Sequence, residues 1–251
     1  MVYITGDIRG DFNRLLKINK FCIKHRLGKN NWIICLGDVG LNYYGEKSKK
    51  EIAIKNEVAK LPIKMFCIHG NHERRPRETA GYQQIEIIEG AIQGPMLWDS
   101  RYPNQYFAID GAVYKIQTPE RKLNALVCGG AYSVDKYYRL QCGENWWPDE
   151  QPSRVVKGIV RLMASQNQID IMLTHTCPLR FEPTELFIDG IDQSTVDTST
   201  EEFFDDLYEQ FPADHKPMWY FGHFHGNKYT DDYVMLFDDV IKFGDKVKSD
   251  E

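Results

Sequence analysis

Long apolar runs are missing from this 251-residue chain. No stretch approaches the roughly 18 residues of a membrane-spanning helix, so no span is predicted. Paired cysteine spacing is missing as well. Cys22, Cys35, Cys67, Cys128, Cys142 and Cys177 form no C-x-x-C and no zinc-finger pattern. Several lie inside apolar runs, at 32–36, 65–68 and 125–128, which predicts buried reduced thiols and a cytoplasmic protein. Cys177, two residues past His175, is read as a core thiol rather than a ligand. Surplus positive charge is absent: 31 Lys and Arg face 36 Asp and Glu, a net charge of −5. No global field draws a polyanion, so a phosphate-bearing partner must be met locally, by metals or a few arginines. There is no internal repeat and no linker, so one domain over 1–251 is expected. The first motif begins at Gly6, which leaves no room for a cleavable leader. Hydrophobic residues are plentiful at 42%, enough to bury a sizeable core.

The apolar pattern begins as strand, helix, strand, helix, strand. Val2–Thr5 is β-branched and aromatic. Asp11 then precedes a helical spacing of Leu15, Leu16, Ile18, Phe21 and Cys22, with Gly28 as a stop. Residues 32–36 read as a strand, 51–60 as a helix ended by Pro62, and 64–68 as a strand. This βαβαβ order implies a parallel sheet with functional loops at the C-terminal ends of its strands. Short strands at 96–98, 105–109, 112–117 and 124–128 suggest antiparallel pairing. Gly129-Gly130 opens a loop of aromatics and charges through Pro152. Ser153 caps a predicted helix carrying Val155, Val156, Ile159, Val160, Leu162 and Met163. A strand at 169–173 follows, then a polar, acidic stretch over 181–199. Ser199-Thr200-Glu201-Glu202 fits a capping box for a helix to Gln210. A strand at 217–221 and closing strands within 229–243 complete the chain.

Five short motifs sit at the ends of these runs: Gly6-Asp7-Ile8-Arg9-Gly10, Leu36-Gly37-Asp38, Gly70-Asn71-His72-Glu73, Thr174-His175-Thr176 and Gly222-His223-Phe224-His225. They hold two aspartates, one asparagine and four of the seven histidines. Any one alone reads as a turn or a solvated edge. In order, each at a strand end, they supply carboxylate, amide and imidazole donors. That mixture suits Mn, Fe, Zn, Ni or Co, with Mn favoured, better than Ca.

These residues resemble the calcineurin-like metallophosphoesterase superfamily, which shows D-x-H, G-D, G-N-H-[ED], H and G-H-x-H in this order. The likeness spans Gly6 to His225. The run from Gly129 to Lys136, with Arg139 and Trp146-Trp147-Pro148, also resembles a bacterial and phage-associated subgroup. The resemblance implies an α/β fold, a four-layer sandwich of two mixed β-sheets flanked by helices. It implies hydrolysis of phosphate esters by metal-activated hydroxide at a centre of one or two divalent ions. Carried over, Asp7, Asp38 and His225 would hold one ion, and Asp38, Asn71, His175 and His223 the other. His72 would ligate neither and would serve the leaving group.

The chain departs from the family twice. Its first motif reads Asp7-Ile8-Arg9, and a guanidinium has no lone pair to give a metal. Lariat-debranching relatives also replace this histidine, so the change is compatible with activity. Arg9 is expected to meet substrate phosphate or a local carboxylate, and the ion site beside it to be weak. After Asp38 the run is Val39-Gly40-Leu41-Asn42, without the acid that orients the histidine in protein serine/threonine phosphatases, which argues against that specificity.

Arg74 and Arg75 follow the third motif directly and are candidate phosphate grips, since the guanidinium fork matches phosphate oxygens. Tyr132, Tyr137, Tyr138, Trp146 and Trp147 crowd one loop, either to pack it down or to stack a base. His69 is read as a strand residue facing away from the metals. The leading expectation is a phosphodiesterase acting on a nucleotide or nucleic acid. A phosphomonoesterase acting on a small metabolite or phosphoprotein is second. A non-catalytic interaction scaffold of the same fold is third.

Overall fold

The computed structural model describes residues 1–187, 189–190 and 192–245. The final residues of the expected domain, 246–251, lie outside these. The chain opens with β1 (Val2–Thr5), α1 (Phe12–Lys24), β2 (Trp32–Cys35), α2 (Lys49–Ala59) and β3 (Lys64–Cys67). Asp11 caps α1 by accepting a hydrogen bond from Asn13 N at 2.7 Å. The middle runs through β4 (Gln83–Ile87), β5 (Ile92–Trp98), β6 (Gln105–Ala108), β7 (Val113–Gln117) and β8 (Lys122–Cys128). Then come α3 (Lys136–Cys142), α4 (Arg154–Gln166), β9 (Ile171–Thr174) and α5 (Ser199–Gln210). Strands β10 (Met218–Phe221), β11 (Lys228–Tyr229), β12 (Tyr233–Met235) and β13 (Val240–Lys242) close it.

The α/β class is as expected, and the described strands join into one hydrogen-bonded path. Strand β5 is shared. Its Met96–Trp98 end pairs antiparallel with β6, while Ile92 and Gln93 pair antiparallel with β7. On one side β1, β2, β3 and β6 run parallel. On the other β8, β9, β10 and β12 run parallel. The path therefore curls at β5 into two halves that face each other. Strand alternation sorts the core into layers. Val2, Ile4, Trp32, Ile34 and Phe66 meet Ile92, Tyr114, Val127, Leu173 and Tyr220 between the halves. Tyr3, Ile33, Cys35 and Met65 point outward onto Leu15, Ile18, Ile54 and Val58 of α1 and α2. Leu126, Met172, Trp219 and Phe221 point the other way, onto Val160 of α4 and Phe203, Phe204 and Leu207 of α5.

Ser153 Oγ accepts from Val156 N at 3.3 Å, as the sequence predicts. The cap of α5 falls earlier than expected: Thr198 is the flanking residue, and Asp197 Oδ1 accepts from Ser199 N at 3.0 Å. Among the described residues no helix is long and apolar enough to cross a membrane. The parallel arrangement sends the C-terminal ends of β1, β2 and β3 to the same rim as those of β9 and β10, and all five motifs gather there.

Candidate metal centre

Each ligand candidate sits in the loop just past its strand: Asp7 after β1, Asp38 after β2, Asn71 after β3, His175 after β9, and His223 and His225 after β10. Close approach between the loops depends on glycine. A Cβ on Gly37, whose φ is +100°, would stand 2.1 Å from His175 Nδ1, and one on Gly222 would stand 2.5 Å from Asp7 Oδ1. Non-glycine residues take the left-handed region here too, with φ of 58° at Arg9, 46° at Asp38, 67° at His223 and 55° at His225. Such conformations cost about 1–3 kcal/mol each and persist only where surrounding contacts enforce them. The enforcing contacts run both between the two halves of the sheet and within one of them. His223 N donates to Asp7 Oδ1 at 3.1 Å, and His72 N donates to Asp38 Oδ1 at 2.9 Å within the first half.

The donor set has the chemistry of a cation site. His175 Nδ1 lies 2.7 Å from the carbonyl oxygen of Leu36, which can only accept, so Nδ1 carries the proton and Nε2 keeps its lone pair. That Nε2 faces Asn71 Oδ1 at 2.8 Å and Asp38 Oδ1 at 3.7 Å. Asn71 Nδ2 donates to Ser133 Oγ at 2.8 Å, which turns the amide oxygen toward His175. Acceptors thus converge on one point. Ligand atoms of Asp7, Asp38 and His175 all lie within 4.8 Å of one another, and all three residues are buried. Asp7 Oδ2 is buried without a hydrogen-bond partner. Its one ion-pairing neighbour among the described residues is the His225 imidazole at 3.4 Å, and a buried carboxylate oxygen among converging lone pairs suits a positive ion.

The electrostatics keep these groups in ligating form. Burial pushes the Asp7 carboxyl up, but His225, His175 and the His223 N–H together outweigh it and hold the group below the usual carboxylate range. Burial first, and His175 second, push His223 well below its ordinary value, so its imidazole is neutral. His72 is lowered mainly by burial, with Asp38 opposing and Arg139 adding to the effect. Its Nε2 lies 4.0 Å from Asp38 Oδ2 and 3.3 Å from Asn71 Nδ2.

A cavity of about 240 Å³ opens beside the centre, lined by Arg9, Asp38, Gly40, Tyr43, Tyr44, His72, Arg139 and Glu144. Arg9 and His72, both candidates of the sequence reading, line it. Arg139, Tyr43 and Glu144 are functional candidates it missed. Arg139 donates from Nε to Asp135 Oδ2 at 2.7 Å and from Nη1 to the Tyr43 hydroxyl at 2.8 Å, with Glu144 at 3.5 Å. Asp135, the partner of Arg139, also lies near enough to raise the His72 pKa, after Asp38. The only signal for Asp135, Arg139 and Glu144 is their place in the segment that follows Gly129-Gly130, which shows no periodicity, and Tyr43 lies in the loop after Asp38.

Arg74 and Arg75 do not line this cavity. Arg75 is paired with Asp110 and with Asp149. Arg74 donates to Glu78 O at 3.2 Å and lies over the Trp147 ring at 5.5 Å. Of the crowded aromatics, Trp146 packs the loop, donating to Glu150 at 2.7 Å and carrying Lys136 over its ring at 4.3 Å, whereas Tyr137 and Tyr138 are exposed. Cys177 is buried among Leu126, Phe181 and Phe204, a core thiol.

A family model described as calcineurin-like phosphoesterase matches residues 1–247. No curated protein matches the chain. Among solved structures, a phosphopantetheinyl hydrolase from Mycobacterium tuberculosis aligns at 14% identity and a TM-score of 0.46, covering 94% of this chain and 87% of its own. A protein of unknown function from Aquifex aeolicus aligns at 12% identity and a TM-score of 0.33, covering 70% and 80%.

Proposed function

The chain belongs to the calcineurin-like phosphoesterases, enzymes that hydrolyse phosphate esters with divalent metal ions, and from that premise we propose that it cleaves a small phosphodiester of the nucleotide class. The convergence of Asp7, Asp38 and His175, with Asp38 shared by a cavity that Arg9, His72 and Tyr43 also line, carries this reading. Asp7, Asp38, Asn71, His175 and His223 would hold the metal, with manganese favoured by the mixed oxygen and nitrogen donors. When bound, the ion supplies Lewis acidity and a water acidic enough to act near neutral pH.

The chain's own side chains do the rest. Arg9 offers N–H donors and a fixed charge to a phosphoryl oxygen. Tyr43 accepts from Arg139, so its own O–H is free to donate into the cavity. His72, neutral at pH 7, gives an N–H to charge developing on the departing oxygen. Asp38 and Asn71 fix the place of His72 through the contacts described above.

Charge supports a diester. Arg139 is matched by Asp135 and Glu144, whereas Arg9 has no carboxylate partner among the described residues. One unmatched cation suits the single negative charge of a diester. The size of the cavity, below the roughly 300–1,000 Å³ of most ligand pockets, supports a small substrate over a long nucleic acid. The same size favours the second reading, a phosphomonoester of a small metabolite. Free, largely buried cysteines support a reducing cytoplasmic setting.

The test is kcat/KM for bis-para-nitrophenyl phosphate, para-nitrophenyl phosphate and a single-stranded oligonucleotide, with Mn²⁺, Ni²⁺, Zn²⁺ and Mg²⁺. The diester should lead, and His72→Ala should lower its kcat about 10²–10³-fold. A leading monoester moves the assignment to the second reading. Silence across all metals and substrates returns the chain to the scaffold reading.

A further inference from the structure

Arg9 occupies a position where a metal ligand is expected, and it cannot be one. Its backbone is left-handed, and its N–H donates to Asp38 O at 2.6 Å, so the residue is fixed against the second motif. Its Nη1 lies 3.4 Å from His225 Nε2, which in turn lies 3.4 Å from Asp7 Oδ2. A guanidinium has donors and no lone pair, and it keeps its charge at any physiological pH. The His225 Nε2 that would coordinate an ion is thus already engaged, between the Arg9 guanidinium and the Asp7 carboxylate.

The other side of Asp38 differs. There Asp7, Asp38 and His175 converge with Asn71, and the described residues place no guanidinium within hydrogen-bonding distance of His175 or Asn71. The two ion positions implied by the family pattern are thus unequal. One is a ring of lone pairs, and the other already holds a positive group.

We propose that Arg9 takes the place of the second cation: the centre binds one divalent ion, on Asp7, Asp38, Asn71, His175 and His223, while His225 serves Arg9. A like charge held this close disfavours a second ion. The guanidinium then contributes what that ion would otherwise bring to the substrate, a fixed positive charge facing the phosphate, together with directional donors. This rests on the phosphoesterase reading of the site, but it is tested by counting metal rather than turnover.

The full-length protein is saturated with Mn²⁺, freed of loose ions and analysed for metal content, then by electron paramagnetic resonance. The wild type should hold one Mn²⁺ per chain and show the uncoupled pattern of an isolated ion. Arg9→His restores an imidazole at this position, and should raise the count to two and give an exchange-coupled spectrum. Two ions per wild-type chain would overturn the proposal, as would a folded Arg9→His protein that stays at one. If Arg9→His does not fold, the wild-type count alone decides. Failure of the wild type to hold any metal is a separate outcome, which removes the hydrolase reading itself.

Discussion

Asn71 sets the order of the centre, because its amide meets three neighbours there, Ser133, His72 and His175. Nδ2 donates to Ser133 Oγ, which leaves Oδ1 facing His175 and the ion position. Ser133 is itself buried and touches no ligand other than Asn71 among the hydrogen bonds described. Ser133→Ala should therefore weaken Mn²⁺ binding about 10–100-fold, the usual effect of losing a group that orients a ligand, with folding retained. Titration calorimetry against circular dichroism checks this, and unchanged affinity would show that the amide is held by other means. Gly222→Ala should do more. Its Cβ would press on Asp7 Oδ1, so metal content should fall to background. At this scale the sequence was legible where chemistry and position coincide: Asp7, Asp38, Asn71 and His223 are polar side chains next to glycine at strand ends, and His175 follows a strand directly, between two threonines. Arg139 and Tyr43 were not legible, because their roles depend on a contact between residues far apart in sequence. Arg75 misled for the converse reason. Its neighbourhood in sequence is the third motif, yet its partners, Asp110 and Asp149, come from elsewhere.

Helix α5 carries a buried acid behind the centre. Glu201 Oε1 accepts from Thr176 Oγ1 at 2.7 Å, one residue beyond His175, while its Oε2 has no partner. Burial pushes this carboxyl up to about 7, with the Thr176 bond opposing and Glu182 adding. The unfolded chain titrates this group near 4.5. Between these values the native state holds a proton that the unfolded state lacks, so stability falls as pH rises from about 4.5 to about 7 and levels off above. The shift bounds the effect at about 3 kcal/mol. Glu201→Gln keeps the acceptor for Thr176 and removes the charge. It should be more stable than wild type at pH 8, by about 1–3 kcal/mol in urea unfolding, and the gap should narrow toward pH 5. A gap that does not change with pH would show that Glu201 does not titrate in this range. Elements with apolar periodicity were readable, as with β1, β2, β3, β9 and β10. Strand β4 was missed because it is an edge strand whose residues are mostly exposed. Helix α3 was missed because its seven residues are anchored by Arg139 rather than by an apolar stripe. Helix α4 was found, yet only Val160 is fully buried, and Val155 and Leu162 face solvent.

Across the whole molecule, the ion position lies where the two halves of the curled sheet meet. Asp7, Asp38 and Asn71 come from one half, and His175 and His223 from the other. Protein contacts already span the gap, among them those from His175 Nδ1 to Leu36 O, from His175 Nε2 to Asn71 Oδ1 and from His223 N to Asp7 Oδ1. Without a cation the buried carboxylates of Asp7 and Asp38 keep like charge close together in a region of low dielectric. A cation relieves that and ties both halves to one point. Binding to the native state alone adds RT ln(1 + [L]/Kd), about 2.7 kcal/mol at one hundred times Kd. For a chain of this size that corresponds to a rise in Tm of about 5–10 °C. Mn²⁺ should produce this rise in calorimetry, a chelator should reverse it, and the transition should stay single because the ion is shared by both halves. Ca²⁺, which favours sites built from oxygen alone, should give a smaller shift. If the Tm does not respond to Mn²⁺, the five ligands do not act on a common ion, because any cation bound by the native state and not by the unfolded chain must raise it.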